Sequence, residues 1–259
     1  MRPDLARLAQ LAARAADAAR AEILPRFRRV AVEMKKDGSP VTEADRAAEQ
    51  AIRRVLHEGD PGVAILGEEF GADGNWQRGA AWVIDPIDGT IGFARGIPLF
   101  STLIARLEDG VSVLGLIDLP GLGERTVGWK GGGVTRNGVP VRCSQATDLR
   151  SALVAHGDVF CFDRCEERAA FERMGREIPI LRGYTDGFGH AQVLAGGIDA
   201  MVDLDLNPWD AAATQILVPE AGGRCVTLAY PTGKLGLVFG APGLVGQLAG
   251  WLTQGRVLG

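Results

Sequence analysis

Residues 82–90 read Trp82-Val83-Ile84-Asp85-Pro86-Ile87-Asp88-Gly89-Thr90. Two carboxylates leave the end of an apolar run three residues apart. Pro86 biases Asp85 towards extended backbone, which predicts a chain that turns while both side chains enter one space. Carboxylates that close repel each other and resist desolvation, so a cation between them is expected. An all-oxygen ligand set favours Mg²⁺, Mn²⁺ or Ca²⁺ over zinc. Gly89 and Thr90 then offer backbone N–H groups to an incoming anion. Carboxylates beside an amide nest describe metal-assisted phosphate chemistry. The plainer alternative is a capped turn, since Asp, Pro and Gly favour turns in their own right.

Further candidates stand at matching places. Glu68 and Glu69 follow the apolar run Val63–Leu66 and Gly67. Neighbouring strand ends bring side chains together, so at least one of them is expected in the same cluster. Asp210, in Asn207-Pro208-Trp209-Asp210, opens a helix, where capping and metal binding are compatible. Asp45, in Thr42-Glu43-Ala44-Asp45, fits a capping box, and a catalytic role is equally open. Lys36 alone reads as a solvated lysine. His57, His156 and His190 match no motif and read as surface or supporting residues.

These residues must be held by elements. Leu5, Leu8, Leu11, Ala12, Ala15, Ala19 and Ile23 predict a helix over 4–24, ended or kinked by Pro25. A second helix follows Thr42, with Ala44, Ala48, Ile52, Val55 and Leu56 on one face. Val63–Leu66 and Trp82–Ile84 read as short strands. Hairpins are expected within 101–118, about Glu108-Asp109-Gly110, and at Asn137-Gly138. Beyond Asp148 the pattern alternates: strands at 153–155, 178–181 and 200–202, helices at 163–175, 186–195 and 210–221. Strands about Val226 and 237–239 and a helix over 242–253 follow. The fold class is therefore α/β (α+β). Residues 1–145 form one half, with two helices on a largely antiparallel sheet and most candidate ligands. Residues 146–259 form an α/β half that supplies Asp210 and the substrate pocket. No flexible linker or internal repeat is visible.

The 259 residues carry 28 Lys+Arg against 32 Asp+Glu, a net charge of −4, with 46% hydrophobic and 23% charged residues. That balance reads as an ordinary globular chain and disfavours disorder, collagen and coiled coil. No basic block dominates, which argues against a nucleic-acid binder. Cys143, Cys161, Cys165 and Cys225 form no Cys-x-x-Cys pair and no zinc spacing. They read as reduced thiols, and a cytoplasmic location is expected. The Ala- and Arg-rich start carries Asp4, Asp17 and Glu22 and does not read as a signal peptide. No run reaches the length of a membrane span.

Taken together, Lys36-Asp37-Gly38-Ser39-Pro40-Val41-Thr42-Glu43-Ala44-Asp45, Gly67-Glu68-Glu69, Trp82–Thr90, and Asn207–Asp210 with Glu220-Ala221-Gly222-Gly223 resemble the inositol monophosphatase superfamily. Its members are Mg²⁺-dependent, lithium-sensitive phosphomonoesterases. The resemblance runs from about residue 30 to residue 226 with the motifs in the family's order. It implies an αβαβα layered sandwich and two or three Mg²⁺ ions per site, with Mn²⁺ an alternative. Glu68, Asp85 and the Ile87 carbonyl would hold the first ion. Asp85, Asp88 and Asp210 would hold the second, and Glu68 a weaker third. Gly89 and Thr90 amides would bind phosphate, with Lys36 at the mouth. Thr90 and Asp45 would orient and deprotonate the attacking water. The resemblance also implies a homodimer and a small-molecule phosphate monoester as substrate.

The leaving alcohol is set elsewhere. Asp203, seven residues before Asp210, stands where the family usually places a glutamate that contacts the substrate. Thr185-Asp186-Gly187-Phe188 resembles the histidinol-phosphate phosphatase branch, as do Gly115–Pro120 and Ile97–Ile104. Asp186 and Asp203, beside Asp88, suit a cationic leaving group, although Asp186 also fits a helix cap. Ile91-Gly92, and Trp209-Asp210 with the helix after it, depart from that branch. The first expectation is thus histidinol phosphate in histidine biosynthesis. Inositol 1-phosphate or another sugar or nucleotide phosphate is the alternative. A regulatory partner of the transcription machinery is the reading from another class.

Overall fold

A computed structural model describes residues 4–35 and 40–258. The predicted Lys36 falls outside these residues. The chain begins with α1 (Leu5–Arg26), the short pair β1 (Glu33–Met34) and β2 (Pro40–Val41), and α2 (Glu43–Gly59). Next come β3 (Ala64–Gly67), β4 (Gly71–Ala72), β5 (Ala80–Asp88), α3 (Thr90–Ala94), β6 (Ser101–Glu108) and β7 (Val111–Leu119). The first half closes with β8 (Glu124–Trp129), β9 (Gly133–Arg136) and β10 (Val139–Pro140). The second half runs β11 (Leu153–His156), α4 (Val159–Arg164), α5 (Arg168–Glu177), β12 (Ile180–Arg182), α6 (Asp186–Leu194) and β13 (Ala200–Leu206). It ends with α7 (Pro208–Glu220), β14 (Arg224–Ala229), β15 (Leu235–Gly240), α8 (Pro242–Ala249) and β16 (Arg256–Val257).

Two large sheets result. The first has the order β10-β9-β8-β7-β6-β5-β3-β4 and is antiparallel except where β3 runs parallel to β5. The second has the order β12-β11-β13-β15-β14-β16, parallel on the β12-β11-β13 side and antiparallel on the other. Helices α1 and α2 cover the outer face of the first sheet. Helices α6 and α7 lie between the sheets. Helices α4, α5 and α8 cover the outer face of the second. The layers are α, β, α, β, α, as the resemblance implies. Helix α7 meets both sheets, so Ala211–Thr214 and Ile216–Val218 are buried on all sides. A helix apolar all round belongs in such a central layer.

The expected hairpins form. Asp109 and Gly110, and likewise Asn137 and Gly138, all have positive φ, the requirement of a type I′ turn. Several expectations are corrected. Pro25 does not end α1, which continues to Arg26. The single helix expected over 163–175 is two, α4 and α5. They part where Glu166 takes φ 58° and buried Glu167 turns away to accept from the Thr253 and Gln254 amides. The last helix ends at Ala249 rather than 253. Strand β8 and helix α3 had no expectation.

Candidate active site

Strand β5 is buried along most of its length and pairs with β6. Asp85 lies opposite Leu103, and Asp88 lies opposite Ser101. Three steps on β5 therefore match two on β6, which is a β-bulge at Pro86-Ile87. In a regular strand, residues three apart point to opposite faces. The extra residue resets that alternation, and both carboxylates reach one cleft. Thr102 Oγ1 donates to the Pro86 carbonyl at 2.8 Å and pins the bulge. The expected turn is thus a bulge inside a continuing strand. β13 repeats the device. Its register against β15 slips between Asp203 and Leu206, with Asp205 at φ 65°. Asp203, Asp205 and Leu206 all line the same cleft.

The cleft encloses about 490 Å³. Asp85, Asp88 and Asp210 each bring a carboxylate oxygen to within 4.8 Å of the other two. Glu68 reaches the same cleft from the end of β3, next to β5. Its Oε1 accepts from Lys35 Nζ at 2.7 Å, as does Glu69 Oε1. Asp88 Oδ2 accepts from Ser101 Oγ at 2.8 Å and from the Gly187 amide at 2.5 Å. Asp210 sits in the third turn position of α7, and its Oδ2 accepts from the Asn207 amide at 2.7 Å. Asp45 holds the same place in α2. Its Oδ2 accepts from Thr42 N at 2.8 Å and Thr42 Oγ1 at 2.6 Å. Its Oδ1 lies 3.1 Å from Thr90 Oγ1, which also lies 2.9 Å from the Ile87 carbonyl. Gly89 takes φ 87° and starts α3, so its amide and that of Thr90 stand at a helix start beside the carboxylates.

Asp186 and Asp203 line the same cleft, Asp186 next to Asp88 and Gly89. Asp186 does not act as a helix cap. Thr185 occupies the cap position of α6, no side-chain cap bond forms, and Asp186 itself takes φ 59°. Its Oδ2 accepts from Thr185 Oγ1 at 2.7 Å. Asp203 Oδ2 lies 3.0 Å from Nε2 of buried His190.

The model for the inositol monophosphatase family matches residues 4–255. The chain belongs to that family. It is a phosphoric monoester hydrolase. A histidinol-phosphatase of Chlorobaculum parvum is 36% identical over 229 residues, 87% of this chain and 86% of that one. An inositol-1-monophosphatase of Mycobacterium leprae is 34% identical over 231 residues, 83% of this chain and 78% of that one. The solved inositol monophosphatase of Anabaena superposes with a TM-score of 0.83 at 29% identity, covering 99% of each chain.

The inositol monophosphatase family uses Mg²⁺, and two observations test whether these residues fit it. Asp85 Oδ1 is buried with no hydrogen-bond partner, in a carboxylate that meets those of Asp88 and Asp210. A buried carboxylate oxygen without a donor is costly unless a cation satisfies it. The candidate donors are all oxygens, which suits a hard divalent ion. Electrostatics agree. Burial, then the charges of Glu68, Asp88 and Asp210, raise the Asp85 carboxyl well above its usual range. Burial, then Asp186 and Asp210, do the same to Asp88. Asp210 is pushed up to about 7 by burial and then by the Glu68 charge. The residues fit the metal.

Sequence reasoning missed two groups that serve this cleft. Ser101 and Lys35 hold Asp88 and Glu68. Of the two readings of His190, surface or supporting, the second holds: it is buried, lines the cleft and contacts Asp203. Its signal was its spacing, four residues after Asp186 and therefore on the same face of one helix.

Proposed function

We propose that the protein is a Mg²⁺-dependent phosphomonoesterase acting on histidinol phosphate, in histidine biosynthesis. Glu68, Asp85, the Ile87 carbonyl, Asp88 and Asp210 would hold the metal ions. Bound there, Mg²⁺ offsets phosphate charge and lowers the pKa of water. The Gly89 and Thr90 amides receive the phosphate oxygens. The Thr90 hydroxyl orients a water for in-line attack on phosphorus. The water proton passes to Thr90 Oγ1 as the Thr90 proton passes to Asp45 Oδ1. The phosphorus–oxygen bond to the alcohol then breaks, and the leaving oxygen takes a proton from solvent water to depart as the alcohol.

One observation carries the substrate. Asp186 and Asp203 share the cleft with the carboxylate cluster, and neither caps a helix. Two further carboxylates beside the cluster suit an ammonium on the leaving alcohol, which histidinol has and inositol lacks. A charge-assisted hydrogen bond contributes about 1.5–3 kcal/mol, roughly 10- to 150-fold in affinity. Inositol 1-phosphate is the second reading, favoured by the Mycobacterium leprae relative's name.

The test is phosphate release with millimolar Mg²⁺ from histidinol phosphate, inositol 1-phosphate, fructose 1,6-bisphosphate and adenosine 3′,5′-bisphosphate. The expected result is a clear preference for histidinol phosphate. Asp186→Ala is expected to raise its KM much more than that of inositol 1-phosphate. A flat profile, or a preference for inositol 1-phosphate, overturns the substrate assignment.

A further inference from the structure

His190 has no part in the mechanism above, yet it lines the cleft and contacts Asp203. The ring is 2% exposed and both its nitrogens are engaged. Nε2 lies 3.0 Å from Asp203 Oδ2 and Nδ1 lies 2.7 Å from Thr214 Oγ1. An ionised carboxylate only accepts, so Nε2 carries the hydrogen and donates. In the neutral ring Nδ1 then accepts from the Thr214 hydroxyl. Phe239 closes the edge of the ring at 4.8 Å between centroids. The ring, carried on α6, is thus fixed by three further elements, β13, α7 and β15.

That clamp decides where the rest of Asp203 points. Oδ2 is taken by His190. Oδ1 occupies the space that a side chain at residue 157 would fill, since a Cβ on Gly157 would coincide with it. Gly157 and Asp203 both line the cleft. Asp203 Oδ1 has no hydrogen-bond partner among the described residues. The same helix carries Asp186 one turn earlier.

We propose that His190 is a positioning residue for leaving-group recognition. It holds Asp203 Oδ2 so that Oδ1, over Gly157, is presented together with Asp186 to an ammonium on the leaving alcohol. Helix α6 then supplies one acid of the pair and orients the other. This inference rests on the reading of an amine-bearing substrate.

The experiment compares wild type, His190→Phe and His190→Gln on histidinol phosphate and inositol 1-phosphate at saturating Mg²⁺. Phenylalanine keeps the bulk and removes the donor, whereas the glutamine amide N–H reaches the position of Nε2. In His190→Phe, KM for histidinol phosphate is expected to rise tenfold or more, with a smaller change in kcat. The ratio of kcat/KM between the two substrates is expected to fall at least tenfold, and His190→Gln to recover most of it. A general structural defect would lower both substrates together and leave the ratio alone. If circular dichroism shows that His190→Phe does not fold, Gly157→Ala carries the test. Its methyl displaces Asp203 Oδ1, and the same fall in the ratio is expected. A wild-type preference that survives His190→Phe or Gly157→Ala overturns the inference and leaves the substrate reading intact. So does a His190→Gln ratio no better than that of His190→Phe. A wild type with no preference removes the substrate reading and the inference with it.

Discussion

Asp45 and Asp210 each divide their two carboxylate oxygens between a helix start and a second task, Asp45 meeting Thr90 and Asp210 the cleft. In both, Oδ2 accepts from the backbone amide of the cap residue, Thr42 or Asn207. The cap bond fixes the rotamer, so the second oxygen needs no further support. Capping and metal binding are compatible at Asp210, as expected, and at Asp45 the cap bond leaves Oδ1 to meet Thr90. The strain lies in the charge. Burial and like charges hold Asp210 near pH 7, so an ionised Asp210 opposes folding when no cation is present. Asp210→Asn is therefore expected to lower Mg²⁺-dependent turnover at least a thousandfold, while its melting temperature in EDTA matches or exceeds that of wild type. Near-normal activity, or a clear loss of stability in EDTA, would sink the cluster's assignment as a metal site. Thr90→Val removes the hydroxyl beside Asp45 and is expected to lower kcat by about 10²- to 10⁴-fold, the range of a lost general-base contact. An unchanged kcat would remove Thr90 and Asp45 from proton transfer.

At the scale of elements, the cleft is built by two bulges and a tether. The bulges in β5 and β13 each turn a strand's alternation so that acids face inward. The tether runs from α2 to the turn that carries Glu68. Glu49 is fully buried, pairs with Arg53 Nε at 2.8 Å, and accepts from the Glu69 amide at 2.8 Å and the Phe70 amide at 3.2 Å. Removing it leaves two amides unpaired and takes one of two carboxylate partners from Arg53, which keeps Asp73. Glu49→Ala is expected to cost about 2–4 kcal/mol, read from denaturant unfolding, with weakened Mg²⁺ binding because the Glu68 turn loosens. A cost below ~1 kcal/mol would make the tether incidental. The strands and helices with strong periodicity or turn pairs were legible: α1, α2, the β6–β7 hairpin and the α6–β13–α7 succession. The bulges were not. Nothing in Asp85–Asp88 distinguishes an inserted residue from a turn, because the distinction lies in the β6 register. Glu49 was hidden for the same reason. As one more polar residue on an amphipathic helix it looks solvent-facing, and only the long-range approach of Phe70 shows otherwise. Helix α3 is too short for its period to register.

Across the whole molecule, the cluster joins the two sheets. Asp85 and Asp88 leave the first, Asp210 opens the helix between them, and Asp203 leaves the second. The layering was legible from the change of pattern after Asp148, but the meeting of residues about 120 apart in sequence was implied only by the family resemblance. Among the described residues no helix is long and apolar enough to cross a membrane. A cluster between layers couples metal binding to the stability of the whole fold, and the coupling has a sign. An unfolded aspartate titrates near its ordinary 3.8, whereas folded, metal-free Asp210 titrates at about 7, and Asp85 and Asp88 are raised as well. Glu69, raised chiefly by burial to about 7 against an ordinary 4.5, adds to this. Between about pH 4 and pH 7 the folded state therefore holds more protons than the unfolded chain, and stability falls as pH rises. The exposed acids whose pKa is lowered, Glu33 beside Arg46 and Asp148 beside Arg150, act in the opposite sense. They do so only below their ordinary range and are constant above pH 5. Divalent cations bind the deprotonated carboxylates, so their stabilising effect grows through the same window. The melting temperature in EDTA is expected to fall from pH 5 to pH 8, while that in 10 mM-scale Mg²⁺ (~10 mM) stays flatter. The gap between the two curves should be small at pH 5 and widest at pH 8. Melting curves at half-unit pH steps decide it: a gap that is constant with pH, or a metal-free protein that grows more stable from pH 5 to pH 7, would show that these carboxylates are not the groups the metal engages.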